Sequence, residues 1–256
     1  MRVLKKPRIK AISKKIKLGV MILVLTSMFG TSGCSAQGGK TPEAKIAETL
    51  LQKKYNEEFV IYSMGKRYGT LTGNTFTVMC SPKDNPNLKF NAEIDKDGSF
   101  MQDEYVSRKV SDLIEKDLTK TFSKNFKDFV IKVGAAGKTT DSNNSNMSIQ
   151  EYFKLKNDTW FAIYIVIDKD NLKDVSDDTI YNSISDTVGS VPNLSGGLKV
   201  YVVTKGVLQK AITYFKDYAN LDSSFDELVS NPEDISSGFE NGVLKMKLDE
   251  FKLKLK

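Results

Sequence analysis

One short stretch carries most of the chain's candidate chemistry. Asp168, Asp170, Asp174, Asp177 and Asp178 crowd directly after the apolar run Trp160-Phe-Ala-Ile-Tyr-Ile-Val-Ile167. Carboxylates at the end of a strand can hold a divalent cation or move protons, so Asp168, Asp170 and Asp174 are the candidate metal ligands. A local account competes and is preferred. Ser176 would cap a helix, and Asp177 and Asp178 would favour the positive end of its dipole. A second acidic phrase, Asp95-Lys-Asp97-Gly98-Ser99, has acids at the first and third positions of a calcium loop. Phe100 stands where that loop needs glycine and Val106 where it needs its closing acid. Asp-Gly is a turn signal, so a hairpin is expected there. Cys80 ends an alternating apolar run and reads as a small buried hydrophobe.

The chain contains no histidine. That removes Ser-His-Asp and Cys-His nucleophile systems, the HExxH zinc site and imidazole base chemistry. No cofactor and no catalytic residue is expected. The reading is of a non-catalytic protein, with a metal-assisted enzyme using the acids of 168–178 as the alternative.

The N-terminal stretch points to a cellular address. A basic run from Arg2 to Lys17, without an acid, leads into Leu18-Gly-Val-Met-Ile-Leu-Val-Leu25 and ends on Thr31-Ser32-Gly33-Cys34. A basic segment, a short apolar core and small residues describe a secretory signal peptide. The apolar run is shorter than the ~20 residues of a membrane-spanning helix. The tetrapeptide resembles the lipobox of bacterial prolipoproteins, with Thr31 where that family usually has leucine or another aliphatic residue. The resemblance implies cleavage between Gly33 and Cys34 and a diacylglyceryl group on the Cys34 sulfur. It also implies anchoring to the extracytoplasmic face of the cell membrane. An uncleaved anchor and an ordinary secretory signal are the competing readings. A composition rich in Lys, Asn and Ile is associated with a low-GC, Gram-positive bacterium.

Charge and cysteine count narrow the partners. The formal charge is +6, from 38 Lys and Arg against 32 Asp and Glu. Eight of the basic residues lie in residues 1–33, so the remainder carries 30 against 32, about −2. With both signs interspersed, nothing predicts nucleic-acid binding. With Cys34 acylated, Cys80 has no partner for a disulfide, and stability must come from packing. The expected partners are the membrane, through Cys34, and an envelope protein or ligand. A transporter's solute receptor is a further alternative, although the long β/α alternation of two doubly wound lobes is missing.

The elements alternate between helical and strand periodicity. After a Gly-rich tether at 34–40, Thr41-Pro42-Glu43 opens a helix whose apolar face holds Ile46, Ala47, Leu50 and Leu51. Phe59–Tyr62, Thr70–Cys80 and Leu88–Ile94 predict strands. Asp103 or a neighbour caps a helix bearing Val106, Val110, Leu113, Ile114 and Leu118, with Phe122, Phe126 and Phe129 continuing its buried stripe. Phe129–Val133 predicts a strand. The helix-then-strands order and the phrase Ala92-Glu-Ile-Asp-Lys-Asp-Gly98 are similar to small PepSY-type or cystatin-like envelope domains, and the similarity carries no residue over.

Gly134–Asn146 is small and polar, a linker or exposed loop. Ser148-x-x-Glu151 is a capping box. Trp160–Ile167, apolar on both faces, predicts a central strand. A helix with Ile180, Ile184 and Val188, a strand at Leu198–Val203 and a helix from Val207 follow. Alternation in Leu244–Leu248 and Phe251–Leu255 predicts a terminal hairpin or strand with a lysine-rich face, or a basic membrane strip. The expected fold is α+β, antiparallel sheets with helices packed on one face, in two units, 41–133 and 147–256.

Overall fold

Proline at the first helical position and an acid in the first turn start helix α1, Pro42–Tyr55, because proline's missing N–H is one the helix leaves unpaired anyway. The computed structural model describes residues 41–65, 74–135, 142–217, 223–229 and 233–254. The leader, the tether, Gly33 and Cys34 lie outside them, as do residues 136–141 of the expected linker. Ala47 and Leu51 of α1 are fully buried against a first sheet.

That sheet is antiparallel, in the order β1-β2-β3-β4, with β1 Phe59–Met64, β2 Thr75–Pro82, β3 Phe90–Asp95 and β4 Met101–Asp103. Strict alternation decides which face is buried. Phe90, Ala92 and Ile94 are fully buried while Asn91, Glu93 and Asp95 are half-buried. The Asp95–Ser99 phrase is the β3–β4 turn: Gly98 takes φ +73°, and its N–H donates to the Asp95 carbonyl at 2.9 Å. Helix α2, Tyr105–Phe122, follows. Val110, Ile114, Leu118 and Phe122, four residues apart, are fully buried.

The second sheet runs β5-β6-β7-β8-β9: Phe129–Ala135, Phe161–Asp168, Gly196–Val203, Glu233–Glu240 and Val243–Leu244. The strand expected to close the first α+β unit, β5, pairs here with β6, Ile131 opposite Ile165. Strand β6 is interior, as its two apolar faces require. Its pairing with β7 is parallel, Ile165 beside Val200, which departs from the wholly antiparallel expectation. Parallel neighbours need a long crossover, and residues 169–195 supply it with a 3₁₀ turn, Lys169–Leu172, and helix α4, Asp177–Gly189. Before β6, the short helix α3, Ile149–Leu155, starts at the expected capping box: Ser148 accepts from the Glu151 N–H and Glu151 from the Ser148 N–H.

Helices cover both faces of this sheet rather than one. Ile163, Ile165 and Val200 face Ile114 of α2 and Ile184 of α4 in one core that also holds Leu51 of α1. Val166, Tyr201 and Val203 face the other way, onto Leu208, Ala211 and Phe215 of helix α5, Lys205–Asp217, and Phe225 of helix α6, Ser223–Leu228. The described residues from Pro42 onward form one compact unit.

The C-terminus corrects one expectation. After the β8–β9 turn at Asn241-Gly242, φ 51° and 78°, residues Leu248–Lys254 form helix α7 in place of a strand. Phe251 is its fully buried anchor while Leu253 is 73% exposed. The alternating Leu/Lys pattern therefore does not mark a two-faced strand. Asp249 and Glu250 in the first turn and Lys252 and Lys254 in the last suit a helix dipole.

Candidate functional site

Three of the acids of 168–178 have side-chain partners of their own. Asp168 is only 2% exposed and caps the 3₁₀ turn, its Oδ1 accepting from the Asp170 N–H at 3.1 Å. Asp170 lies 2.8 Å from the Lys173 ammonium, which holds its carboxyl below the usual range. Asp174 is exposed. Asp178 pairs with Lys252 of α7 at 2.6 Å, and Ser176 caps α4 through the Thr179 N–H. The structure does not bring Asp168, Asp170 and Asp174 together, and among the described residues no group of three or more His, Cys, Asp and Glu could hold a metal. Cys80 is fully buried, and burial pushes its thiol pKa up, with Asp103 and Glu104 adding to the effect. It is an inert core residue.

The fold assembles a different site, beside the edge strand β5. An edge strand leaves N–H and C=O groups unpaired, and here α2 supplies partners from side chains instead of a further strand. The Arg108 guanidinium donates to the Val133 carbonyl at 2.9 Å, and Glu115 accepts from the Val133 N–H at 3.1 Å. These two side chains, with Asp112, form one wall of a cavity of about 210 Å³. Lys132, next along β5, points to the α5 side of the sheet. There Ile212, Phe215 and Lys216 form the opposite wall, with Asn85, Asn87 and Leu88 at one end.

Two cations in this cleft are nearly buried: Arg108 is 9% exposed and Lys132 8%. The nearest carboxylate to the Lys132 ammonium, Glu115, is 3.6 Å away, too far for a good hydrogen bond. Burial lowers the Lys132 pKa, and the Arg108 charge lowers it further, against the opposing pull of Glu115. Asp112 is held by Lys116 one turn on, at 2.8 Å. The cleft is therefore a partly apolar slot lined by an under-compensated positive charge, that of Lys132. It can attract and orient an anionic group.

The whole-chain comparison rests on structure. No protein-family model and no curated protein matches the chain. The fold is similar to that of a DUF5037 family protein. That protein is from Ruminococcus gnavus ATCC 29149, with a crystal structure at 2.55 Å. The TM-score is 0.64 over 83% of this chain and 98% of the other. At 17% identity, the likeness to the DUF5037 protein concerns the α+β architecture and leaves the cleft to be argued from this chain's own residues.

None of the cleft residues stands out in the sequence. Arg108 and Glu115 lie on helix positions beside an obvious apolar stripe, where charged residues are ordinary, and they are far in sequence from Lys132. The one available signal is Lys132 itself, a charge in the middle of Phe129-Val-Ile-Lys-Val133. A lysine whose charge is desolvated costs stability. Lys132→Met is accordingly expected to raise stability at pH 7 by about 1 kcal/mol, read from the urea midpoint. The sign follows from linkage. With the folded pKa below the ordinary lysine value of 10.5, the unfolded chain binds more protons between the two values, so the native protein gains stability as pH rises through that window. The Met variant should lack that component. A fall in stability on substitution would mean that the ammonium is well compensated.

Proposed function

We propose that this chain is a non-catalytic lipoprotein, anchored through Cys34 to the extracytoplasmic face of the cell membrane, that binds an envelope ligand in the cleft beside β5. The observation that carries the binding half is the under-compensated Lys132 ammonium facing a cavity of about 210 Å³. A buried charge that costs stability is the kind of feature a binding site retains. The anchoring half rests on the leader and Thr31-Ser32-Gly33-Cys34. A diacylglyceryl group brings two acyl chains, enough for stable membrane attachment without a protein contact to lipid, where one chain gives only marginal binding. Among the described residues, no helix is long and apolar enough to cross a membrane, so attachment in this reading depends on the lipid.

Cys34→Ala tests that half. Intact mass of the native protein is expected to show a chain starting at Cys34 with a diacylglyceryl increment, recovered with the membranes. The alanine variant should lose the increment and either stay uncleaved or leave the membrane fraction. A native chain with an unmodified Cys34 would remove the anchor from the proposal.

A further inference from the structure

We infer that the cleft beside β5 takes a small organic anion with a hydrocarbon tail, its charged end on Lys132 and Arg108 and its tail against Ile212 and Phe215. This rests on the cleft being a ligand site, as proposed above, and specifies what the ligand is. The sign of the ligand follows from the charges that line the cleft, three cations (Arg108, Lys132 and Lys216) against two acids (Asp112 and Glu115). Of the two acids on the wall, Glu115 already accepts from the Val133 N–H and Asp112 is paired with Lys116. The cations are less spent. An ammonium has three donors and a guanidinium five. Arg108 gives one to the Val133 carbonyl, while Lys132 has only a carboxylate at 3.6 Å. Lys216 adds a third, exposed positive charge at the rim.

An anion entering here would complete hydrogen bonds that the protein leaves unmade, in a setting where water screens little. A cation would meet the two nearly buried positive charges of Arg108 and Lys132. The apolar half of the wall fixes the other end of the ligand. Phe215 and Leu88 are buried, and Ile212 and Val130 are half-buried. The volume sets the size, since pockets for drug-sized ligands run ~300–1,000 Å³. About 210 Å³ suits a short carboxylate or a small phosphate ester.

The test is a titration of the mature, lipidated protein in nanodiscs, followed by the methyl NMR signals of Ile212 and Val130. The probes are hexanoate, hexyl phosphate, hexan-1-ol, hexylamine and inorganic phosphate. Hexanoate or hexyl phosphate, or both, should shift these signals saturably, and whichever binds more tightly identifies the headgroup. Hexan-1-ol, hexylamine and inorganic phosphate should each bind at least tenfold more weakly. Lys132→Met should weaken the anionic probes at least tenfold; since this variant is expected to fold at least as stably as the parent, such a loss reports on recognition. Hexan-1-ol or hexylamine binding as well as hexanoate, or full affinity in Lys132→Met, would overturn the anion assignment and leave the cleft a ligand site. Inorganic phosphate binding as tightly as the amphiphiles would overturn the role of the apolar wall. Silence from all five probes would overturn this inference and the cleft as a binding site together.

Discussion

Replacing Gly196 with alanine is expected to cost on the order of 4–5 kcal/mol and to leave little folded protein at 37 °C. A Cβ at this position would lie 1.8 Å from the Phe161 carbonyl oxygen, 2.7 Å from its carbon and 2.8 Å from the Phe239 ring. Ordinary over-packing costs about 1–3 kcal/mol because side chains can move aside. Here the obstacle is mainly backbone. Phe161 is the residue that pairs with Gly196 at the start of the parallel β6–β7 ladder, and Phe239 pairs with it from β8. Relief requires spreading three adjacent strands. Gly134→Ala is the control: it lies on β5, and an added Cβ there meets nothing within 4 Å. It should be neutral or stabilise by up to ~1 kcal/mol, since glycine in a strand interior costs entropy. Urea unfolding followed by circular dichroism decides both. A Gly196→Ala midpoint within error of the parent would mean that the strands separate easily and that the close approach is not a constraint.

Gly196 also shows what the sequence could and could not disclose. Gly196 and Gly197 lie just before the strand expected at Leu198–Val203, and glycine pairs punctuate structure more often than they sit in strands. Only the strand pairing reveals that Gly196 stands where three strands leave no room for a side chain. Local pattern served well elsewhere. Thr41-Pro42 opened α1, Ser148 and Glu151 capped α3, and the Phe90–Asp95 alternation placed the buried face of β3.

Those are decisions made by neighbours a few residues apart. Pairing across long separations was not legible. The sequence of β5 does not say whether it joins the strands before it or β6 after it, and the parallel β6–β7 pair depends on where the crossover helix docks. The cleft is invisible for the same reason, since Arg108 and Glu115 acquire their role only when β5 comes to lie against α2. In α7, period-two alternation misled because lysines stood between apolar residues of which only Phe251 found a core to enter.

Asp103→Ala carries the other large expected effect, about 3–5 kcal/mol, since it removes one partner of a buried ion pair. Asp103 is fully buried at the end of β4. It accepts from the Tyr55 hydroxyl at 2.6 Å, the Lys54 ammonium at 2.7 Å and the Tyr105 N–H at 2.9 Å. One carboxylate thereby ties the end of α1 to the start of α2. Burial and then the Asp103 charge hold Tyr55 protonated, its pKa pushed well up, so the phenol stays a donor across the accessible pH range. The site sits inside an aromatic cluster, with Tyr105 centred 4.7 Å from Tyr55 and 4.9 Å from Phe90. Its hydroxyl donates to Glu57, which also accepts from Ser145 at 2.6 Å.

Exposed pairs such as Lys83–Glu58, 2.7 Å apart with both side chains more than 60% exposed, should contribute little, because water screens the attraction and two long side chains must be ordered to make it. The two cases separate charge from burial. In Asp103→Ala, the ammonium of Lys54, 15% exposed, loses its nearest carboxylate without reaching bulk water, and two further donors lose their acceptor. Asp103→Asn should cost less, because an amide oxygen still accepts from Tyr55 or Tyr105. Adding Lys54→Met to Asp103→Asn should recover part of the loss, as the largely buried positive charge that faced Asp103 is then gone. Recovery in the double variant would assign the cost to the Lys54 ammonium. A double variant that is merely the sum of the two singles would assign it to the Tyr55 and Tyr105 hydrogen bonds, and a single-variant loss below ~1 kcal/mol would refute the lock altogether.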